Sequence, residues 1–127
     1  MVNELIGSII PLEKNPDFNG ERKADYFFKN LSAEEKNEII KKNPAYGRIV
    51  CRCETVTEGE IVRAIRENPK ATDVDGIKRR TRSGMGRCQG GFCQPVVAEI
   101  LARELHEEVE ETTKKEGESF LITGGEK

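Results

Sequence analysis

The sequence predicts a small, mainly α-helical domain preceded by an N-terminal arm and helix, and three observations support this prediction. The helix-capping pattern, in which a serine or threonine is followed three residues later by glutamate, occurs twice. It is present at Ser32 with Glu35 and at Thr57 with Glu60. Apolar residues recur at three- and four-residue spacing in the last third of the chain. Only one short segment is rich in β-branched residues. We therefore expect a helix-turn-helix-like arrangement around the one modest core that 127 residues can form.

The first 48 residues are predicted to form an arm followed by a helix. Turn-forming residues in "EKNPDFNGERK" indicate that residues 1–30 are irregular, and the aromatic residues Tyr26, Phe27 and Phe28 are expected to fill a core or an interface. The segment "LSAEEKNEIIKKNP" predicts a helix that begins after Ser32. This helix ends before Pro44, because proline disfavours helical backbone in the residue that precedes it.

An extended segment, "YGRIVCRCE", is predicted after this helix. It contains the β-branched residues Ile49 and Val50 and leads into Cys51 and Cys53. Side chains two residues apart in a strand point to the same side. The two thiols are therefore predicted to face the same side of the strand.

Three more helices are predicted after the first cysteine pair. One runs through "TVTEGEIVRAIRENP" from the N-cap Thr57, and the next is capped by Asp73 and stops at Gly84 or Gly86. The longest, "QPVVAEILARELHEEVEE", has Pro95 in its first turn. The apolar residues expected to be buried on these helices are Ile61, Val62, Ile65, Val74, Ile77, Val97, Ile100, Leu101, Leu105 and Val109.

The chain is predicted to have three regions. Residues 1–48 are the arm and helix, expected to be the link from a larger protein; residues 49–112 are a helical domain that contains every cysteine; and residues 113–127 are a C-terminal tail. Within the mostly polar tail, Phe120, Leu121 and Ile122 are expected to dock as a small edge strand.

The charge pattern argues against a nucleic-acid or membrane partner. The formal net charge is -2, and no apolar run approaches the length of a membrane span. No secretory signal is visible in "MVNELIGSIIPLEK", so the reducing cytoplasm is the expected compartment, where cysteines bind metals or do redox chemistry more often than they form disulfides. One local run is strongly basic, with Lys78, Arg79, Arg80, Arg82 and Arg87 among ten residues.

The four cysteines fall into two pairs that both precede predicted helices. One residue separates Cys51 from Cys53, and four residues separate Cys88 from Cys93. Four thiolates suit either a tetrahedral zinc ion or an iron-sulfur cluster. The spacing in "CRC" is tighter than the usual zinc knuckle, whereas "CQGGFC" is compatible with one. The spacing therefore favours a cluster and leaves zinc open; an empty site is a further alternative for an aerobic preparation.

Two stretches, "CRCETVTEGEIVRAI" and "DGIKRRTRSGMGRCQGGFCQPVVAEIL", resemble the BFD-like 2Fe-2S-binding domain, named for bacterioferritin-associated ferredoxin. The resemblance is closer to the version at the C-terminus of FAD-dependent glycerol-3-phosphate dehydrogenases of the anaerobic type, and it extends upstream through "LSAEEKNEIIKKNPAYGRIV". The ferredoxin itself has two residues, not four, between the second pair of cysteines. The resemblance implies that Cys51, Cys53, Cys88 and Cys93 ligate one 2Fe-2S cluster.

The same resemblance implies that this chain is the C-terminal electron-transfer module of a larger oxidoreductase. The chain alone has no expected catalytic site, and "GMGRCQ" places Gln89 where a flavin-binding Rossmann motif requires its third glycine. FAD would therefore belong to the preceding part of the parent protein. The expected partners are that FAD-binding domain and an electron-acceptor subunit or carrier.

Six cations near the cysteines are predicted to influence the centre. Arg52 and Arg87 adjoin cluster ligands and are expected to raise its potential, and residues 78–82 are expected to form a docking face. That face consists of Lys78, Arg79, Arg80 and Arg82. Two alternative functions remain open from the residues: a zinc-stabilised protein-interaction domain, and a cluster-delivery or iron-sensing module.

Overall fold

The computed structural model describes residues 2–9, 13, 16–17 and 27–123, which contain five α-helices and one two-stranded antiparallel sheet. This architecture confirms the predicted mainly α fold. In the described residues, no helix is both long and apolar enough to span a membrane. The helices are α1 (Val2–Gly7), α2 (Ala33–Lys42), α3 (Glu58–Arg66), α4 (Val74–Thr81) and α5 (Gln94–Leu105), and the strands are β1 (Ile49–Cys51) and β2 (Val56–Thr57).

Both predicted capping boxes are present. The Ser32 hydroxyl accepts the Glu35 N–H at 3.3 Å, and the Glu35 carboxylate accepts the Ser32 N–H at 2.8 Å. Thr57 and Glu60 make the same reciprocal pair at 3.3 and 2.8 Å. Each box satisfies two backbone donors that would otherwise lack a partner at a helix start. The sequence therefore located the start of α2 and of α3 correctly.

The C-terminal ends of helices α4 and α5 differ from the predictions. The last helix ends at Leu105 rather than continuing through "HEEVEE", because His106 adopts a left-handed backbone with φ of 60°. A run of glutamates at a helix C-terminus also opposes the helix dipole, which favours this early end. Val109 consequently lies in a separate 3₁₀ turn, Val109–Glu111. Helix α4 likewise ends before the predicted glycines, at a left-handed Arg82 with φ of 68°.

The N-terminal arm also differs in part, because residues 2–7 form helix α1 where irregular chain was predicted. The stretch "VNELIG" contains good helix formers and no proline, so local propensity supports a short helix there. Of the aromatic residues predicted as plugs, Phe28 is buried and Phe27 is half-buried, while Tyr26 lies outside the described residues.

The core lies between α3, α4 and α5 and includes two cysteines. Cys51 and Cys93 are buried in the same cluster as the apolar faces of these helices. Because burying a large aliphatic side chain stabilises a fold by about 1.5–3 kcal/mol, the helical core also fixes the backbone around these thiols. Among the predicted core residues, Ile61, Ile65, Val74, Ile77, Val97, Ile100 and Leu101 are buried, while Val62, Leu105 and Val109 are partly buried.

Residues 27–48 pack against the start of α3. The backbone N–H of Phe28 donates to Glu60 Oε1 at 2.9 Å, and the Phe28 and Tyr46 ring centroids are 6.4 Å apart. Tyr46 is itself buried against Gly59, where any Cβ would overlap the ring. The first turn of α3 thus joins the N-terminal segment to the domain that contains the cysteines.

The C-terminal tail crosses the start of α4. The N–H groups of Val74 and Asp75 donate to the carbonyls of Thr113 and Lys114 at 3.2 and 2.9 Å, and the Lys114 ammonium pairs with the Asp75 carboxylate. Instead of the predicted edge strand over residues 120–122, the tail forms one isolated antiparallel bridge, from Thr113 to Phe120. The Thr113 and Lys114 carbonyls accept hydrogen bonds from the first N–H groups of α4, so these two carbonyls are not used for pairing between strands.

We expect Glu60→Gln to lower the free energy of unfolding by about 2 kcal/mol, because both Glu60 oxygens accept buried hydrogen bonds and an amide nitrogen would have to face a donor. Glu35→Gln is the matched control. Only Oε2 of Glu35 accepts, so glutamine can turn its oxygen to the same donor, and the cost should stay below about 0.5 kcal/mol. Urea unfolding would measure both; equal costs would contradict the proposed role of Glu60.

Candidate metal centre

The first cysteine pair lies on a strand and the turn that follows it. Strand β1 ends at Cys51, which is 1% exposed, and Cys53 lies in the turn between β1 and β2 and is exposed. A register shift in the sheet and a left-handed Thr55, with φ of 54°, accompany this turn. Both thiols line the same cavity, as predicted, but strand alternation is not the reason, because the strand ends at Cys51. The turn, rather than the strand, sets the position of Cys53.

The second pair lies on the loop between α4 and α5, which bends through several left-handed residues. Gly84 and Gly90 have φ of 84° and 88°, where glycine is favoured, and Gln89 has φ of 49°. The loop approaches the first pair so closely at Gly86 that a Cβ there would overlap Cβ of Cys53. This contact accounts for a glycine in "GMGRC" by direct packing against the other cysteine segment.

All four cysteines line one open cavity of about 580 Å³. The Sγ atoms of Cys53 and Cys88 are 3.6 Å apart, and the Cys51 and Cys93 thiols are also in hydrogen-bonding contact. Each close pair therefore combines one cysteine from each sequence motif. The structure brings together the four predicted ligands, although 34 residues separate the two motifs.

The two ends of this cavity differ in burial and electrostatics. Backbone N–H groups of the loop, that of Phe92 foremost, lower the pKa of the exposed-side Cys88 thiol, and the neighbouring Cys53 thiol adds to this effect. Burial raises the pKa of the Cys93 thiol, although the Ser83 hydroxyl, 3.7 Å from its sulfur, acts in the opposite direction. The outer end thus favours negative charge more than the inner end does.

The residues present fit a two-iron cluster. Two thiolates on one tetrahedral ion with bonds of about 2.3 Å lie about 3.8 Å apart, close to the 3.6 Å between Cys53 and Cys88. In the described part of the chain, no three cysteine, histidine or carboxylate side chains converge on one ion position. In a 2Fe-2S cluster with four thiolate ligands each iron takes two of them, and the Cys53–Cys88 distance suits one such pair.

The cations near the cysteines have different surroundings. Arg52 and Arg87 are exposed, and neither has an ion-pair partner within the described residues. Arg82 pairs with Glu54 at 2.9 Å, whereas the Arg80 guanidinium donates to the backbone carbonyls of Gly76 and Pro69 at 3.1 and 2.9 Å. The hydrogen bonds of Arg80 thus connect α4 to the loop that precedes it. The guanidinium of Arg79 lies 4.0 Å from the Asp73 carboxylate, and Lys78 is half-buried. Their predicted role as a docking face stays a prediction.

The particular contacts of three residues of the site were not predicted from the sequence. Ser83 is buried beside Cys93, Gly86 packs on Cys53, and Phe92 lines the cavity while remaining 86% exposed. The sequence does contain a pattern that could have identified Phe92 as a site residue: it is an aromatic residue between two glycines and a predicted ligand cysteine. No sequence pattern indicates the contacts of Ser83 and Gly86. The partner of Ser83 is Cys93, ten residues later, and the partner of Gly86 is Cys53, on a different segment.

Comparison with known families agrees with this geometry. Residues 49–103 match the model of the BFD-like 2Fe-2S binding domain, and they include both cysteine pairs. The segment that contains both cysteine pairs therefore matches the BFD-like 2Fe-2S binding domain, as the two motifs predicted.

More of the chain is similar to a glycerol 3-phosphate dehydrogenase of Caloramator mitchellensis, with 55% identity over 113 residues, which are 89% of this chain and 24% of that protein. A region of 55 residues, 43% of this chain, is 46% identical to the HcnB component of hydrogen cyanide synthase from Pseudomonas aeruginosa and to one component of the anaerobic glycerol-3-phosphate dehydrogenase of Escherichia coli. That region is 11% and 10% of those two proteins. The chain thus spans a quarter or less of the length of these relatives. Comparison with solved structures found no match.

We expect Gly86→Ala to lower both stability and cluster content, because the added methyl group would push the loop away from Cys53. Such overpacking costs about 1–3 kcal/mol. Gly47→Ala is the control, since its Cβ would meet Ile40 at 3.4 Å, an ordinary contact. Iron per chain and urea unfolding measure the two effects, and a Gly86 variant that matches the Gly47 variant in both would argue against the contact as a constraint.

Proposed function

We propose that this chain is a one-electron transfer module in which Cys51, Cys53, Cys88 and Cys93 ligate one 2Fe-2S cluster. The observation that carries the proposal is that all four thiols line one cavity, within the segment that matches a 2Fe-2S binding domain. Such a cluster supplies one-electron redox chemistry, and four thiolate ligands leave no open position for a substrate.

The protein's own residues provide two features that suit this role. The helical core buries Cys51 and Cys93 to 1% and 4% exposure, which protects the inner thiols from water and oxidants. Cys53 is exposed and Cys88 is half-buried, so the outer end lies close to an approaching redox partner. A cluster ligated by these cysteines would be attached to the core through the buried thiols and would approach the surface at the other two, an arrangement that suits electron transfer.

We further propose that the module works inside an FAD-dependent glycerol-3-phosphate dehydrogenase, in the cytoplasm. Flavin in the preceding domain would collect two electrons, and this module would pass them singly to an acceptor protein or carrier. The support is the similarity of most of this chain to the Caloramator mitchellensis protein, and the four free cysteines, which suit a reducing compartment.

Anaerobic reconstitution with iron and sulfide is expected to give a brown protein with about two irons and two sulfides per chain, as a 2Fe-2S centre requires. One-electron reduction should then produce a paramagnetic signal. Each single Cys→Ser variant at the four positions should lose or alter that signal, while His106→Ala, at an exposed helix end, should not. A colourless chain with one tightly bound zinc would contradict the proposal. Rapid transfer of the cluster to an apo-acceptor would indicate delivery instead.

The unpaired arginines are expected to tune this centre. Neutralising a nearby cation should lower the midpoint potential of the cluster. The expected shift is on the order of tens of millivolts, the electrostatic effect of removing one partly screened positive charge. We therefore expect Arg52→Gln and Arg87→Gln to shift the potential downwards in a spectroscopic redox titration. Lys41→Gln, an exposed cation at the end of α2, removes the same charge elsewhere. If all three variants titrate alike, neither arginine tunes the cluster.

A further inference from the structure

The cavity mouth has an unusually exposed aromatic residue. Phe92 is 86% exposed, although it lies between two cysteines that line the cavity and lines that cavity itself. Ile49, on the other side of the same cavity, is 47% exposed. A phenylalanine side chain can bury 150 Å² or more, roughly, so leaving one in water is unfavourable unless something covers it. Two exposed apolar side chains thus line the cavity that also holds the outer thiols.

Backbone hydrogen bonds fix the loop that presents Phe92. The N–H of Gly91 donates to the Cys88 carbonyl at 3.0 Å, and the N–H of Gln94 donates to the Gly90 carbonyl at 2.9 Å. Helix α5 begins immediately after Cys93, so the loop cannot swing freely from that end. The backbone of Phe92 is therefore held in a defined conformation at the cavity, and its side chain remains accessible to a partner.

The surroundings of this cavity are cationic even after ion pairs are taken into account. Arg48 and Arg52 line the cavity, and no carboxylate is among the residues described as lining it. Three carboxylates are each shared between two cations: Glu54 with Lys29 and Arg82, Glu58 with Arg48 and Arg103, and Glu104 with Arg103 and Arg66. A fourth, Glu99, lines the adjoining cavity that shares Cys88.

Arg52 and Arg87 add two more positive charges that lack partners within the described residues. The total is seven cations against four carboxylates. This excess is larger than the charge of about -2 on an oxidised four-thiolate 2Fe-2S centre. The surroundings therefore stay positive when the oxidised cluster is bound, although the chain as a whole has a net charge of -2.

We propose that Phe92 is the centre of a docking surface for a redox protein whose contact face is apolar in the middle and acidic around it. The surface consists of Phe92, Ile49 and Arg52, which line the cavity, together with Arg87, an exposed residue that directly precedes Cys88 in the sequence. This inference rests on the proposed electron-transfer function and adds the chemistry of the partner. A small apolar patch with a charged rim suits the brief, low-area encounters that electron-transfer proteins make. The outer thiols of Cys53 and Cys88 lie within this surface, so docking would bring the donor and the acceptor close together.

Two small redox proteins of opposite charge test the surface directly. The full chain, loaded with cluster and reduced by dithionite, is mixed in a stopped-flow instrument with plant plastocyanin, an acidic copper protein, or with cytochrome c, a basic haem protein. One electron leaves the reduced chain and converts Cu(II) to Cu(I) or Fe(III) to Fe(II). At low salt we expect plastocyanin to react at least tenfold faster than cytochrome c, and its rate constant to fall as salt screens the attraction.

Phe92→Ala should lower the plastocyanin rate constant about tenfold when the variant and the unaltered chain are compared at equal iron loading and the midpoint potential of each is measured. Phe120→Ala is the matched control, because Phe120 is 45% exposed and lies on the tail, outside the cavity lining. The double variant Arg52→Gln/Arg87→Gln should flatten the salt dependence, whereas Lys41→Gln/Lys42→Gln, which removes the same charge from α2, should leave it unchanged. The slope against salt is the readout, since a change in potential alone does not alter it.

The outcomes separate the two proposals. A chain that binds no 2Fe-2S cluster contradicts the proposed function, and the docking surface with it. A loaded chain whose plastocyanin rate rises with salt, or which is slowed equally by Phe92→Ala and Phe120→Ala, contradicts the docking surface and leaves the electron-transfer function standing.

Discussion

The close contact between Gly86 and Cys53 is the constraint on which the outer half of the metal centre depends. It joins the loop before α5 to the turn after β1, and there is no room for a side chain between them. Cys88 follows Gly86 by two residues, so the same contact places the Cys88 sulfur 3.6 Å from that of Cys53. The outer pair of thiols therefore results from backbone packing between two loops rather than from attraction between the thiols.

The inner pair has a different origin, because it belongs to the hydrophobic core. Cys51 and Cys93 are buried together with the apolar faces of α3, α4 and α5. Their positions depend on how these helices pack, whereas the outer thiols depend on loop conformation. This division gives the cavity a buried interior and an accessible exterior, which suits a redox group that must be protected and still exchange electrons.

Electrostatics at the centre follow the same division. The loop amides favour negative charge at Cys88, and burial disfavours it at Cys93. Around the mouth, Glu54 and Glu58 each bind two cations, so carboxylates organise the basic side chains without neutralising them. The first turn of α3 has a further role, since Glu60 caps the helix and accepts the Phe28 N–H, which links the N-terminal segment to the same rigid unit.

The sequence by itself determined the fold class, both capped helix starts, most of the buried apolar residues and the family of the cysteine segment. These features are local or depend on spacing along the chain, and spacing is visible in a sequence. Only the tertiary structure decided that β1 ends at Cys51, that each close thiol pair combines the two motifs, and that Phe92 is exposed at the mouth. It also decided which cations are free, because Arg80 and Arg82 find their partners on other segments. Such contacts join residues that are distant in sequence, and they form only when the helices and loops have packed.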